Sequence, residues 1–353
     1  METTFNNKKL LPEVIPVRLF LVVMLVFYHA FAIFSGAWEP IEGYPEIPIY
    51  NLLDKLSYAC LLETFVFISG YVLGFQVFTK GTENVLNAKS IFLKKIKRLI
   101  IPSIIFSIIY LAIFDKYHQP FLTLVYQTLC GVGHMWFLPM LFWCFVLVYL
   151  MENINISQKC KLILSLMLPF ASILPIPLRL GTAFYYFAFF YVGFLVKRND
   201  WTFDYHTKKV VPILLISFIL SFAAKIYWSG LHTDGGGYLL TNPLINKLLH
   251  VELAIVLRMV CASLGIMILM ILSSIIVSRT DISHCKSLLK LSDCCFGVYI
   301  FQQFTLKYLY DHTYFPSIVD AYTLPWFAFL IALSASLLLT MIIRCSSIGK
   351  KFL

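Results

Sequence analysis

The sequence predicts an all-α membrane protein, a polytopic bundle of about ten transmembrane helices with both termini on the cytoplasmic side. Composition is the first reason. Of 353 residues, 60% are hydrophobic and 13% charged, against roughly 25% charged in a soluble domain, and the mean hydropathy is +0.82. The second reason is repetition. Apolar runs of near-spanning length recur at 14–36, 57–78, 99–115, 136–151, 161–177, 183–197, 210–228, 250–278, 294–310 and 323–343. The third is charge. With the N-terminus inside, one side collects Lys8, Lys9, the basic residues from Lys80 to Arg98, Lys159, Lys161, those from Lys197 to Lys209, those from Arg279 to Lys290, Arg344, Lys350 and Lys351. The other side keeps only Lys55, Lys116, Arg179, Lys225, Lys247 and Lys307. This is the positive-inside pattern. The net charge of +10 is therefore read as topology, and no nucleic-acid partner is expected. Residues 1–353 are expected to form a single integral membrane domain.

The first span follows Lys8 and Lys9 and ends in Ala30-Phe31-Ala32, the outline of a secretory signal. Its apolar run is too long for a signal core and more spans follow, so an uncleaved anchor is expected. The span carries Arg18 and His29. Burying either in lipid costs roughly 2.5–3.5 kcal/mol, which makes each a functional candidate. Eleven steps of about 100° bring the two onto one helix face, about 16 Å apart. His29, deep in the span, is the candidate for proton transfer. On spacing alone, Arg18 reaching a headgroup and His29 bonding a neighbouring helix remain the alternative.

The loop from Trp38 to Lys55, with Glu39, Glu42, Glu46, Asp54 and three prolines, is expected to be irregular and exposed. In the second span Glu63 lies at a depth similar to His29. A carboxylate there would fix the tautomer of His29 and stabilise its imidazolium; a protonated Glu63 bonded to backbone or Ser69 is the alternative. The third span starts through Lys94-Lys95-Ile96-Lys97-Arg98. Lys95 and Arg98 suit phosphate oxygens, or lipid headgroups. The fourth opens with His134-Met135-Trp136-Phe137-Leu138-Pro139. Trp136 reads as an interfacial belt residue or, beside His134, as the wall for a sugar ring or acyl chain. Arg258, inside the eighth span, must face a partner or a wet cavity. The loop at 227–242, with Gly235-Gly236-Gly237, is read as a connector, with a flexible cover over an outer cavity as the alternative. The nine cysteines show no CxxC pair and no metal-like spacing, so neither a disulfide framework nor a metal site is expected.

Taken in order, these stretches resemble the acyltransferase-3 family of integral membrane acyltransferases. The resemblance rests on Arg18-x10-His29, on Phe65-Val66-Phe67-Ile68-Ser69-Gly70-Tyr71, on Lys95-Ile96-Lys97-Arg98-Leu99-Ile100-Ile101-Pro102, on His134-Met135-Trp136-Phe137-Leu138 and on Phe296-Gly297-Val298-Tyr299-Ile300. Three positions depart from the family pattern. The Asp often found shortly before the arginine is missing, with Glu13 the nearest acid, Lys95 stands where an Arg is common, and Gln302 stands where many members carry His. The resemblance implies transfer of an acyl group, usually acetyl, from acyl-coenzyme A to a hydroxyl of an envelope glycan, lipid-linked sugar or exopolysaccharide. It also implies a bacterial inner membrane and no resident cofactor. On that expectation the donor phosphates dock at Lys95, Arg98 and Arg18. His29 is the base or acyl carrier, Glu63 holds it, and His134, Trp136 and Arg258 line the substrate. The competing reading is a polysaccharide or small-anion exporter, which buried Arg, His and Glu also suit.

Overall fold

The computed structural model describes residues 11–87, 89–114, 119–201, 209–233, 243–347 and 349. Lys8, Lys9, Lys116, Lys208, Lys350 and Lys351 of the charge pattern, and the glycine-rich connection over 234–242, lie outside the described residues. Within them the chain is helical and contains no strand. The helices are α1 Val14–Phe31, α2 Pro48–Ser57, α3 Leu61–Lys80, the single turn α4 Thr82–Val85, α5 Ile101–Phe114 and α6 Phe121–Cys130. They continue as α7 Phe137–Asn153, α8 Gln158–Met167, α9 Leu180–Arg198, α10 Val211–Thr233 and α11 Pro243–Arg279. The last are α12 Lys286–Asp311, the single turn α13 Phe315–Ile318 and α14 Leu324–Cys345. Eight helical segments among the described residues are long and apolar enough to cross a bilayer.

Contacts at the helix ends fix the sense of each crossing. At one face, which we call the basic face, Lys197 at the end of α9 meets Glu13 before α1 at 3.3 Å. Tyr71 of α3 donates to the same carboxylate at 2.8 Å. Ser273 near the end of α11 donates to the Glu13 carbonyl at 2.6 Å. At the far face Tyr310, late in α12, donates to the carbonyl of Ala30 at 2.6 Å. Arg18 of α1 meets Ser292 of α12 at 3.5 Å, so α1 and α12 run parallel. α14 runs against them, with Arg344 against Asp293 at 3.5 Å and Trp326 against Tyr50 at 3.1 Å. Asp320 starts α14 by accepting from the Tyr322 and Thr323 amides at 2.9 and 3.1 Å. The further hydrogen bond from the Thr323 hydroxyl holds its carboxyl below the usual carboxylate range.

The fifth and ninth predicted spans are not among the eight, and each has a physical reason. Residues 161–177 do not form one helix. α8 gives way at Leu168 to a 3-10 segment, Leu168–Ile173, because Pro169 lacks an amide hydrogen and its ring blocks a continuing α-helix. The segment still crosses. α7 and α9 both finish at the basic face, where Arg198 meets Glu152 at 2.5 Å, so the chain between them must return to the far face. Ten α and six 3-10 residues reach about 27 Å, close to the ~30 Å hydrocarbon thickness. α12 has 26 residues, about 39 Å of helix. Its mean hydropathy is lowered by polar residues such as Ser292, Gln302 and Gln303, which are buried in the bundle. The loop reading for 38–55 also needs correction. Pro48 sits in the first turn of α2, where its missing amide hydrogen costs nothing. That helix buries Tyr50 and Asp54.

The tightest packing joins α3 to α9. Lipid provides no hydrophobic force between membrane helices, so close backbone contact between small residues replaces it. Gly70 and Gly74 of α3 face the α9 backbone, and Gly193 of α9 faces α3 in return. A Cβ on Gly70 would lie 1.9 Å from the Phe190 carbonyl oxygen, and one on Gly193 would lie 2.2 Å from that of Phe67. The other side of α9 is filled by large side chains, with Phe187, Phe190, Tyr191 and Phe194 wholly buried and Tyr191 bonded to Glu152 of α7 at 2.7 Å.

Substituting Gly70→Ala must push the two helices apart, and overpacking of this kind costs about 1–3 kcal/mol. The thermal midpoint of the purified protein in detergent should fall by several degrees. Gly230→Ala, where a Cβ meets nothing within 4 Å, is the control and should leave it unchanged. An unaltered midpoint in Gly70→Ala would contradict the close approach.

Candidate functional site

His29 lies in the last turn of α1, and the following chain folds back over it. A 3-10 turn, Ala32–Phe34, and a left-handed Gly36 with φ of 76° reverse the direction. The Trp38 amide then bonds to the Ala32 carbonyl at 3.1 Å. The Trp38 indole stacks on the imidazole of His29, with centroids 5.7 Å apart and planes at 21°. Tyr28 stacks on Tyr58 at 4.3 Å and closes a second side.

His134 faces His29, with ring centroids 6.3 Å apart and planes at 65°. It sits in a 3-10 turn, Gly133–Trp136. Gly131 and Gly133, both at positive φ, make this tight approach possible. α12 grips the residue at three points. The His134 amide donates to Gln303 Oε1 at 2.9 Å, Tyr299 donates to the His134 carbonyl at 2.6 Å, and Nε2 lies 2.9 Å from the Ile300 carbonyl oxygen. A carbonyl only accepts, so Nε2 carries the hydrogen and Nδ1 of the neutral ring is left as a lone pair.

Between the two histidines lies a cavity of about 230 Å³, bounded also by Trp38, Tyr58, Trp136 and Tyr299. Nδ1 of His29 and Nδ1 of His134 are buried and make no hydrogen bond of normal geometry among the described residues, although the Leu25 backbone lies close to the His29 ring and Gln303 close to the His134 ring. Gln302 approaches His29 from α12, yet both of its amide atoms are buried without a bond of normal geometry. Unpaired buried polar atoms are costly and call for a physical account. Both histidines line one small space able to hold a polar ligand, whereas Gln302 adjoins His29 without lining it.

The structure gives Glu63 different company from the expected His29. Arg258 Nε donates to Glu63 Oε1 at 2.8 Å, and Tyr185 donates to the same oxygen at 3.1 Å. Its Oε2 has no partner among the described residues. The reason is helix rotation. Glu63 shares a face with Phe67, Gly70 and Gly74, four, seven and eleven residues on, and that face packs on α9. Depth alone matched Glu63 with His29, but the side chain turns away from α1. Arg258 has found its expected partner in Glu63 and also donates to Tyr186 at 2.8 Å. Tyr186 in turn contacts Trp136, with centroids 6.2 Å apart, so this ion pair stands one ring behind the cavity wall.

The basic residues gather at the other end of α1. Arg18 is half-buried, within electrostatic range of Arg98. Arg98 is exposed. The Lys95 ammonium rests 3.7 Å from the centre of the Phe145 ring. Among the described residues none of the three has a carboxylate within ion-pair distance. Asp293 lies within electrostatic range of Arg18 without pairing directly, and like charges held together with so little neutralisation suit an anionic ligand. Trp38, Tyr299, Gln302 and Gln303 are not legible as site residues from spacing alone. Tyr299 and Gln302 stand at positions that the family-like motifs mark, and the adjacent amides Gln302 and Gln303 inside an apolar run are a second signal.

A family model described as an acyltransferase domain matches residues 15–345. No curated protein and no solved structure matches the chain.

The pairing makes Glu63 a structural acid, which a thermal test distinguishes. Glu63→Ala leaves the Arg258 charge without its partner and should cost on the order of 3 kcal/mol. The double variant Glu63→Ala with Arg258→Met should recover most of the lost thermal midpoint. A double variant no more stable than the single would refute the pairing.

Proposed function

The chain belongs to the acyltransferase-3 family, and from that premise we propose that it moves an acetyl group from acetyl-coenzyme A to a hydroxyl of an envelope or exopolysaccharide sugar. It is a membrane acyltransferase acting on groups other than aminoacyl groups. Family membership favours the enzyme over the exporter reading. The observation that carries the finer proposal is the pair of histidines across a small cavity, each with a free Nδ1. A space of about 230 Å³ suits a thioester carbonyl with a two-carbon acyl group better than a long chain.

The donor approaches from the basic face, which is the cytoplasmic side by the positive-inside rule. In a bacterium this is the inner membrane. Its phosphates meet Arg18, Lys95 and Arg98, as forks and point charges suited to phosphate oxygens. From Arg18 the thioester arm extends about 16 Å along α1 to His29. The acceptor hydroxyl gives its proton to Nδ1 of His29, and its oxygen attacks the thioester carbonyl. The new carbon–oxygen bond forms, the carbon–sulfur bond breaks, and coenzyme A leaves as the thiol with the proton. His134, locked by Ile300 with its Nδ1 lone pair unused, accepts a hydrogen bond from a neighbouring hydroxyl of the acceptor sugar and so orients the reacting one. A transient acyl-His29 would use the same groups if donor and acceptor bind in turn.

The test is mass spectrometry of the host's surface glycan, with wild type, deletion, His29→Ala and His134→Ala compared at equal membrane abundance. The deletion should lack one ester that wild type carries. Each histidine variant should lose it about 100-fold or more, the usual contribution of a positioned general base. Full ester in His29→Ala would remove His29 from the chemistry.

A further inference from the structure

A second, larger cavity of about 600 Å³ opens at the far face, beside the reaction cavity. Gly133 lines both. Arg179 and Trp136 build the partition between them. Arg179 lines the outer space, its Nε donates to the Cys130 carbonyl at 3.2 Å, and its guanidinium lies 5.8 Å from the Trp136 ring centre. Trp136 lines the inner space. A second link runs through Lys307, which lines the outer space and lies 5.2 Å from the ring of Trp38, the indole stacked on His29.

The partition is held under strain. Leu178 and Arg179 are consecutive non-glycine residues with φ of 55° and 64°, a region unfavourable to side chains with a Cβ. Trp143 pins this turn by donating to the Leu178 carbonyl at 2.8 Å. Backbone strain persists where the surroundings over-determine it, and it clusters at ligand clamps. The turn aims Arg179 across the cavity rather than outward.

The lining is not that of a lipid slot. It offers the rings of Tyr110 and Tyr126, the amide of Gln127, the hydroxyl of Thr182, the Arg179 guanidinium and the carboxylate of Asp311. Gln127 already bonds to Gln119 at 2.8 Å, and Asp311 pairs with Lys307 at 3.0 Å. Flat aromatic faces take the C–H face of a sugar ring. Amide, hydroxyl and charged groups take its hydroxyls, and neither alone explains the mixture. The volume falls within the ~300–1,000 Å³ usual for small-ligand sites. It exceeds that of the reaction cavity more than twofold, as expected if the acceptor is larger than the acyl group.

We propose that this outer cavity is the acceptor subsite, and that it binds a sugar chain whose reactive hydroxyl passes Gly133 to reach His29 and His134. The inference rests on the acyltransferase reading and adds the surface that selects the acceptor. The glycine at 133 is required by the passage as well as by its backbone. A Cβ there would lie 3.2 Å from the Tyr110 ring and 3.6 Å from Gln303 Nε2, narrowing the gap between the two spaces.

Two variants plug the outer cavity from different helices, Thr182→Trp on α9 and Gln127→Trp on α6. Two readouts are taken on each. One is the ester on the surface glycan, with lipid-linked and polymer fractions analysed separately to identify which source of sugar enters. The other is the thermal shift of the purified protein on adding acetyl-coenzyme A. Both variants should lose the glycan ester at least tenfold while retaining the wild-type donor shift. Full ester in both variants would overturn the subsite and leave the acyltransferase reading intact. Loss of the donor shift along with the ester would also overturn it, since the substitutions would then act on the whole bundle. Absence of any ester in wild type would instead strike the functional reading itself.

Discussion

Hydrocarbon offers no hydrogen bonds, so every polar group between the two faces must find its partner inside the protein or meet a ligand there. This constraint orders the bundle. Glu63, through one carboxylate oxygen, bonds to Arg258 and Tyr185, Arg258 bonds to Tyr186, and the group ties α3, α9 and α11 together. Glu13, Tyr71 and Lys197 do the same at the basic face for α1, α3 and α9. Around the cavity the bookkeeping is deliberately incomplete. His134 spends one nitrogen on Ile300 and keeps the other, and His29 keeps its Nδ1. Paired groups build the frame, and the unpaired ones at the cavity are those that chemistry can use.

The layout separates two tasks along the membrane normal. α1 carries a cation near one face and a base toward the other, and α12 runs beside it in the same sense, with Ser292 at Arg18 and Gln302 near His29. A single pair of parallel helices thus spans the path from anionic ligand to reacting atom. The close α3–α9 contact behind this pair sets the register of Glu63 against Tyr185. Through Tyr186 it also supports the wall at Trp136. Rigid elements, rather than loops, hold the reacting side chains.

What could be read from the sequence follows from the physics of each signal. Helix period alone places Arg18 and His29 on one face, because it needs no knowledge of neighbours. The alternation of basic loops gives ten crossings, and the end contacts of α7, α8 and α9 agree with it even though Pro169 breaks the fifth. Depth is a weaker guide than rotation. Glu63 matched His29 in depth, but its face was already marked by Gly70 and Gly74 as the one that packs closely, and α9 takes that face. The anchoring of His134 was out of reach, since its three partners lie on a helix more than 160 residues away. The outer cavity was equally hidden, because α6, α9 and α12 contribute to it from distant parts of the chain.

The central claim is that His29 and His134 act as one unit on one acceptor sugar. A double-variant cycle on the transfer rate tests it most directly, using His29→Ala, His134→Ala and the pair in purified protein with acetyl-coenzyme A and the extracted glycan. Groups that work as a unit are strongly non-additive, so the double variant should be no slower than the slower single variant, within about twofold. A double variant whose loss equals the product of the two single losses would show that the histidines act independently, and would contradict the account.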